Sequence, residues 1–224
     1  MTADNGQARK TIRLWDSPTR IFHWLLVILV AVSYFSAEEG NFEIHEISGI
    51  TILVLISSRI IWGFVGSTSA RFSHFVRGPG AVLRYVRALL RRDPPHTAGH
   101  NPLGGWVVVA FLVLLLTQGT LGLFANDDIF FEGPLAYMVT DDTSDSISGL
   151  HHDLFGYILI LIGIHVAAVI GYWIVFKEKL VHAMITGRKK VDADARGQAI
   201  SFRSPVLAGI ITLVVAGIVL LIVR

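Results

Sequence analysis

Residues 151–165 read HHDLFGYILILIGIH, an apolar run with histidines at both ends. Each residue of an α-helix turns the chain by about 100°, so His151 and His165, fourteen residues apart, differ in direction by only about 40°. Both rings then project from one face of the helix, about 21 Å apart along its axis. His152 lies about 220° round from His165 and is expected to face the other way. The helix therefore places one imidazole at each of two levels along its axis. At the first level, His151 is the preferred ligand and His152 faces away.

The rest of the chain is equally apolar. Of its 224 residues, 53% are hydrophobic and 16% are charged, which favours a protein embedded in a lipid bilayer over a soluble domain. A hydrocarbon core about 30 Å thick needs roughly 20 apolar residues per helix. Five runs meet this requirement, near residues 21–37, 47–66, 103–125, 152–176 and 205–223. The sequence thus predicts an all-α integral membrane protein with five transmembrane helices and no removable signal peptide.

The chain contains no cysteine, which limits the kinds of cofactor and metal site that it can form. This absence excludes disulfides, thiolate metal sites, iron–sulfur clusters and covalent c-type haem attachment within this chain. The sequence contains no P-loop, dinucleotide-binding fingerprint or Ser/His/Asp arrangement, and no nucleic-acid partner is expected.

The basic residues are confined to alternate connections. Of the 19 Lys and Arg, 18 lie before the first span, within 59–92, or within 177–203. The first and third connections carry acids instead: Glu38, Glu39, Glu43, Asp127, Asp128, Glu132, Asp141, Asp142 and Asp145. By the positive-inside rule, the N-terminus is predicted to lie in the cytoplasm and the C-terminus outside.

The second connection contains a further helical pattern between residues 80 and 92. Three arginines, Arg84, Arg87 and Arg91, recur at helical spacing against Leu83, Val86 and Leu90. This pattern predicts a short amphipathic helix on the cytoplasmic surface, with its arginines facing anionic lipid headgroups. A helix that docks a partner protein is the alternative.

Four of the nine histidines fall at membrane depth: His23, His45, His151 and His165. An unpartnered polar group there costs several kcal/mol, so an intramembrane histidine indicates function. The predicted topology places His45 and His151 near the outer surface, and His23 and His165 toward the inner surface. We name these two sets the outer pair and the inner pair.

Paired neutral imidazoles on facing helices suit the two axial positions of a haem iron. Nearby glycines would let a porphyrin approach the backbone, although they also suit helix–helix contacts. These glycines are Gly49, Gly119, Gly122, Gly156 and Gly163. Two other interpretations compete: a zinc or copper site formed by His45 with Glu43 and Glu46, and histidines that serve only in packing or proton relay.

The remaining histidines, His74, His96, His100 and His182, fall in the predicted cytoplasmic connections, where a solvated ring is expected. His100 is the exception, because it opens the third span and could reach a haem propionate or a quinone. Arg20 and Arg71 are predicted to pair with haem propionates on the inner side, although topology alone would also place arginines there.

Four motifs are distinctive in combination: RLWDSPTRIFHW at 13–24, HEISG at 45–49, GHNPLG at 99–104, and His151-His152 with His165. Together they resemble the prokaryotic cytochrome b561 and nickel–iron hydrogenase b-type cytochrome subunits. The resemblance covers residues 13–190 and implies a four-helix core with two b haems, each bound by two of the four membrane histidines. We therefore expect a di-haem domain over 1–190, and a linker with a fifth helix over 191–224.

Our working hypothesis is an electron-transfer subunit of an oxidoreductase that exchanges electrons between a periplasmic redox protein and a quinone. The acidic loop at 126–150 could dock a basic partner, such as a c-type cytochrome or a hydrogenase small subunit, or it could simply be solvated. A free-standing superoxide:quinone oxidoreductase is the second hypothesis. A non-redox membrane anchor or transporter is the third.

Overall fold

The computed structural model describes residues 9–95, 97, 99–127, 131–192 and 200–224. Within these ranges, five helices are long and apolar enough to cross a membrane: α1 (Ser17–Glu38), α2 (Phe42–Val65), α5 (Pro102–Gly122), α6 (Asp141–Phe176) and α8 (Pro205–Ile222). Three shorter helices lie between them: α3 (Phe72–Phe75), α4 (Pro79–Leu90) and α7 (Leu180–Thr186). The all-α membrane architecture predicted from the sequence is confirmed.

Three of the long helices begin with a capping side chain followed closely by proline. The Asp16 carboxylate accepts a hydrogen bond from the Thr19 amide at 2.8 Å, and the Asn101 side chain accepts one from the Gly104 amide at 2.7 Å. The Ser204 hydroxyl caps α8 in the same way. Such side chains satisfy amides that lack a partner in the first turn, where proline has no donor to lose. These caps fix where each helix begins, and hence the depth of its side chains.

Helix α6 is longer than predicted. It begins at Asp141 rather than near residue 152, so residues 141–150 of the predicted acidic loop at 126–150 are helical. Asp141 and Asp142 lie in its first turn, where negative charge is favourable at the positive end of the helix dipole. The Ser144 hydroxyl also donates to the Phe124 carbonyl at 2.7 Å. Hydropathy alone missed this extension because its residues are polar; residues 128–130 lie outside the described part of the loop.

Helices α1, α2, α5 and α6 form a bundle in which α1 packs on α2, α2 on α5, and α5 on α6. The backbone of α6 stays farther from α1 and α2, which it meets through side chains. The central core consists of Ile52, Ile56, Leu112, Leu115 and Ile158. Helix α8 packs outside the bundle against α2 and, to a smaller extent, α1.

The three basic segments meet at one end of the bundle, which we call the basic end. Strands β1 (Arg9–Arg13) and β2 (Arg188–Asp192) form an antiparallel ribbon that the sequence analysis did not predict. The Lys189 ammonium donates to the Thr97 carbonyl at 2.9 Å, and the Thr68 amide donates to the Ser201 carbonyl at 3.0 Å. The relative placement of these segments agrees with the charge pattern.

The first and third connections meet at the opposite end of the bundle, which we call the acidic end. The rings of Phe42 and Phe131 stack there with their centroids 5.3 Å apart. The acidic connections therefore share one end, and α2 and α6 both begin at it.

The predicted amphipathic helix at 80–92 is α4, at the basic end. Its buried Tyr85 shares a hydrogen bond with the hydroxyl of Tyr172 on α6, whereas Arg84 and Arg87 are exposed. Burial and this hydrogen bond raise the pKa of Tyr85. Tyr85 therefore anchors one face of α4 to the bundle, and contact of the arginine face with lipid headgroups stays a prediction.

Candidate functional site

The outer pair comes together near the acidic end. His45 lies in the first turns of α2 and His151 lies on α6, and their ring centroids are 6.1 Å apart with the ring planes at 86°. The two rings thus face each other across the space between these helices.

Backbone carbonyls orient both rings of the outer pair. His45 Nδ1 lies 2.8 Å from the carbonyl oxygen of Ser33 on α1, and His151 Nδ1 lies 3.0 Å from that of Gln118 on α5. Because a carbonyl oxygen only accepts, each Nδ1 carries the proton and donates. Each Nε2 then keeps its lone pair, which is the arrangement common among metal-ligating histidines.

Helix α5 clamps His151 in two further ways. The side-chain amide of Gln118 donates to the His151 carbonyl at 2.9 Å, which makes the Gln118–His151 contact reciprocal. A Cβ added at Gly122 would lie 3.0 Å from His151 Cε1, so the absence of a side chain there makes room for the ring. Gly119 similarly approaches Leu53 of α2. Gly119 and Gly122 thus serve as helix–helix contact points, the alternative that the sequence analysis left open.

The inner pair comes together toward the basic end. The ring centroids of His23 on α1 and His165 on α6 are 6.5 Å apart, with the ring planes at 56°. The edge of Phe111 contacts His165, and Trp24 contacts His23. Among the described residues, no partner binds the buried Nδ1 of His23. Aromatic packing, rather than backbone hydrogen bonding, surrounds these rings.

A layer of buried apolar side chains separates the two pairs. Ile158 lies seven residues from each of His151 and His165 on the same face of α6, and it is fully buried. Ile56 of α2 packs with it and is also fully buried. The two pairs are therefore stacked along the bundle, as the spacing of the α6 histidines predicted.

His100 lies beside the inner pair, between the rings of Trp15 and Phe75 at centroid distances of 4.7 and 4.8 Å. Burial, followed by the nearby positive charge of Arg59 and the proximity of His165, lowers the pKa of His100 to about 3. The ring is therefore neutral at physiological pH, and its Nδ1 has no partner within the described part of the chain.

Arg20 and Arg71, the predicted propionate ligands, also lie at the basic end. Arg20 donates through Nη1 to the Ile185 carbonyl, and Arg71 donates through Nη2 to the Thr68 hydroxyl at 3.3 Å. The Nε of each arginine is buried and has no partner among the described residues. Both side chains therefore keep an unused donor.

The side chain of His152 is 92% exposed, which agrees with its expected direction, and His182 is also exposed. A Cβ at Gly49 would meet nothing within 4 Å, so this glycine borders open space. Within the described ranges, no cluster of three His, Cys, Asp or Glu residues could hold a metal ion, which disfavours zinc or copper at His45. His96 lies outside the described residues.

Residues 14–187 match the family model for prokaryotic cytochrome b561. The chain belongs to this family. Membership makes it a b561-type cytochrome, a multi-pass membrane protein of electron transport with b-type haem. It also favours electron transfer over the non-redox anchor or transporter.

Three relatives of this b561-type cytochrome are each described as a probable Ni/Fe-hydrogenase B-type cytochrome subunit. The protein of Bradyrhizobium diazoefficiens is 23% identical, over 84% of this chain and 90% of its own length. That of Rhodobacter capsulatus is 24% identical, over 83% and 84%. That of Azotobacter vinelandii is 22% identical, over 82% and 93%. No solved structure gives a significant match.

The geometry of this b561-type cytochrome fits haem at both pairs. With metal–imidazole bonds of about 2 Å on either side, two rings that share one iron have centroids about 6 Å apart. The observed separations are 6.1 and 6.5 Å. Two protein ligands per iron suffice, since the porphyrin supplies the other four.

Sequence reasoning missed three residues of the site in this b561-type cytochrome. Gln118 carried no signal, because a glutamine in an apolar run has many structural roles. Asp16 was seen only as part of a motif. Arg59 was counted among the topology-setting arginines, although a signal existed: it follows His45 by fourteen residues, the spacing that joins His151 to His165.

Proposed function

We propose that this chain is a di-haem cytochrome that moves electrons across the bacterial inner membrane, with its N-terminus in the cytoplasm and its C-terminus in the periplasm. The observation that supports this most strongly is the stacking of two facing imidazole pairs at two levels of one bundle. The outer pair would hold one haem and the inner pair the other. In this proposal, residues 1–190 form the haem domain, and 191–224 add a linker and the fifth helix.

Each haem would supply a metal that accepts and releases one electron. The chain would fix the two irons, exclude water and keep the path between them short. Ile56 and Ile158 fill the layer between the pairs, and Phe111 packs beside the inner pair. The histidines on α6 are about 21 Å apart along the helix axis. Electrons would therefore cross most of the bilayer in one transfer between the two sites.

Three further residues would hold the carboxylates of the inner haem: Arg20, Arg71 and His100. Their support is the buried nitrogen that each leaves without a partner in the described structure. Gly49 would border the outer haem, since the space beside it is open. Placement of these groups at the basic end agrees with the predicted cytoplasmic side.

A periplasmic redox protein would dock at the acidic end, and a quinone would exchange electrons with the protein inside the membrane. Asp141, Asp142 and Asp145 project there from the first turns of α6 and suit a basic partner. The names of the three relatives favour a hydrogenase over a c-type cytochrome as that partner. They also favour this assignment over a free-standing superoxide:quinone oxidoreductase.

Electron transfer across a sealed bilayer tests the proposal. The purified protein is inserted into liposomes that enclose ferricyanide, and a membrane-impermeant reductant is added outside. We expect protein-dependent reduction of the enclosed ferricyanide, and its loss in His165→Ala, which would leave the outer haem reducible. Absence of b-type haem bands, or equal leakage with and without protein, would refute the proposal.

The choice of donor needs a separate measurement. Affinity purification from the native membrane should recover a metal-containing hydrogenase-type subunit with this chain. Recovery of the cytochrome alone, together with superoxide-dependent quinone reduction by the isolated protein, would favour the free-standing oxidoreductase instead.

A further inference from the structure

Helix α2 repeats the spacing that places the two histidines of α6. Arg59 follows His45 by fourteen residues, just as His165 follows His151. Both helices begin at the acidic end and run in the same direction, so Arg59 lies at the level of the inner pair. Between them on the same face of α2 lie Ile52 and Ile56, which belong to the central core. Arg59 therefore projects into the bundle.

The Arg59 side chain is buried yet incompletely bonded. It is only 4% exposed, and its Nη2 donates to the Ala70 carbonyl at 3.1 Å. Its Nη1 is buried and has no partner among the residues that the structure describes. A buried guanidinium with an unpaired donor is strongly unfavourable unless an anion or acceptor completes it.

The nearest acid does not complete it. Asp16 is fully buried close to Arg59, but its Oδ1 accepts from the Thr19 amide at 2.8 Å and its Oδ2 from Trp62 Nε1 at 3.0 Å. Within the described ranges, no carboxylate forms an ion pair with Arg59. The Asp16 carboxylate therefore offsets part of the Arg59 charge from a distance only. The Nη1 of Arg59 still has no partner among the described residues.

Buried polar atoms without a partner concentrate at this end of the bundle. In the described residues they are Thr19 Oγ1, Arg20 Nε, His23 Nδ1, Trp24 Nε1, Arg59 Nη1, Ser69 Oγ, Arg71 Nε and His100 Nδ1, against Gln118 Oε1 alone near the acidic end. Nearly all of the first set are hydrogen-bond donors. Buried donors without a partner suit an anionic group.

We infer that Arg59 binds a carboxylate of the haem held by the inner pair and raises the reduction potential of that haem above that of the outer one. The inference rests on the proposed di-haem function and extends it. Reduction adds one electron to the iron, so a fixed positive charge nearby in a low-dielectric interior stabilises the reduced form. Arg59 is the one buried arginine among the residues whose burial is described, whereas Arg224, which follows α8 at the acidic end, is exposed.

Redox titration of Arg59→Gln tests the inference. The two haems are first assigned with His151→Ala and His165→Ala, each of which should retain one. In Arg59→Gln, the inner midpoint should fall by about 59 mV, which is a tenfold change in the one-electron equilibrium constant. The outer midpoint should not move. Arg84→Gln removes an exposed arginine at the same end and should change neither.

Arg59→Lys separates charge from hydrogen-bond geometry. It keeps the cation but not the fork of donors, so the inner midpoint should fall less than in Arg59→Gln. Unchanged midpoints in Arg59→Gln with both haems present would overturn the inference, because a purely structural role at the Ala70 carbonyl predicts that result. Equal shifts of both midpoints would overturn it as well.

A measurement on the unaltered protein covers the case in which the variants do not fold. Haem labelled with carbon-13 at its carboxylates is incorporated in vivo, and redox-induced infrared difference spectra are recorded. The inference expects carboxylate bands that change at the inner midpoint and shift with the label. Absence of such bands there would overturn it. Failure of the proposed function is distinguishable, since the unaltered protein would then lack two b haems altogether.

Discussion

The outer and inner pairs each contain two imidazoles, at similar separations of 6.1 and 6.5 Å, but different contacts hold the rings in place. In the outer pair, His45 and His151 each donate to a backbone carbonyl, so neighbouring helices fix the rings. In the inner pair, the Nδ1 of His23 has no partner in the described structure, and cationic or donor side chains lie nearby. Backbone hydrogen bonds thus orient the rings of the outer pair. Around the inner pair, buried hydrogen-bond donors have no partner among the described residues.

The largest expected effect separates adjacent histidines at the outer level. In the proposed di-haem protein, His151→Ala should lower the haem content from two per chain to one, because it removes a proposed ligand of the outer haem. His152→Ala should retain both haems, since this side chain is exposed and faces away from the pair. The pyridine haemochrome assay measures both. Equal loss of haem in the two variants would show that the facing of α6 is wrong.

Crowding the outer ring should have the next largest effect. In Gly122→Ala, the new methyl group would lie 3.0 Å from His151 Cε1, so the ring must shift. We expect at least about tenfold weaker retention of the outer haem, in line with the usual effect of disturbing groups around a metal ligand. The inner haem should be unaffected.

Gly149→Ala is the matched control, because this glycine is exposed on α6 and a Cβ there meets nothing within 4 Å. Competition with apomyoglobin for released haem compares the two variants. Similar haem loss from both would mean that close packing at Gly122 does not support the outer pair.

A smaller effect is expected from Asp16→Ala, which acts at the basic end. Loss of an N-cap costs about 1 kcal/mol, and the buried Trp62 N–H left without a partner costs about 1–3 kcal/mol more. Thermal unfolding in detergent should show this loss, with the inner haem released first. Asp153→Ala changes an exposed carboxylate and should be nearly neutral. A neutral Asp16→Ala would contradict the role of this carboxylate.

The smallest effect concerns pH at the inner level. Burial in the folded protein lowers the pKa of His100 from its ordinary value of 6.5 to about 3. Below pH 6.5 the unfolded chain binds a proton that the folded protein does not, so stability should fall as the pH drops from 6.5 toward 3. Above that window this residue contributes no pH dependence.

In His100→Gln the slope of unfolding free energy against pH should decrease by up to about one proton between pH 6 and 5. Parallel thermal scans of both proteins measure it. An identical slope in the variant would show that His100 is not held in a buried, neutral state. His182→Gln, which changes an exposed ring, is the control.

The sequence predicted most of the membrane fold because hydropathy and charge act over whole segments. Five spans, the alternation of basic and acidic ends, and the α4 helix follow from composition and period alone. The pairing of the four histidines followed from the fixed rotation of an α-helix. The 14-residue spacing of His151 and His165 places them on one face at two levels, and the predicted topology gave each of them a partner at the same level.

The errors came from features that hydropathy does not encode. The β1–β2 ribbon joins segments that are mainly basic and lack an alternating apolar pattern, so only the meeting of distant segments creates it. The early start of α6 was missed because its first turns are acidic. The role of Arg59 was missed because the positive-inside rule already explains an arginine near the cytoplasmic surface. That its side chain is buried is seen only in the structure.

The ratio of haem to protein in the purified chain tests the central claim most directly. Quantitative haemochrome and amino-acid analysis should give two b haems per chain, and electron paramagnetic resonance should show two low-spin signals typical of bis-imidazole ligation. A ratio of one, or no bound haem, would contradict the account of two stacked sites.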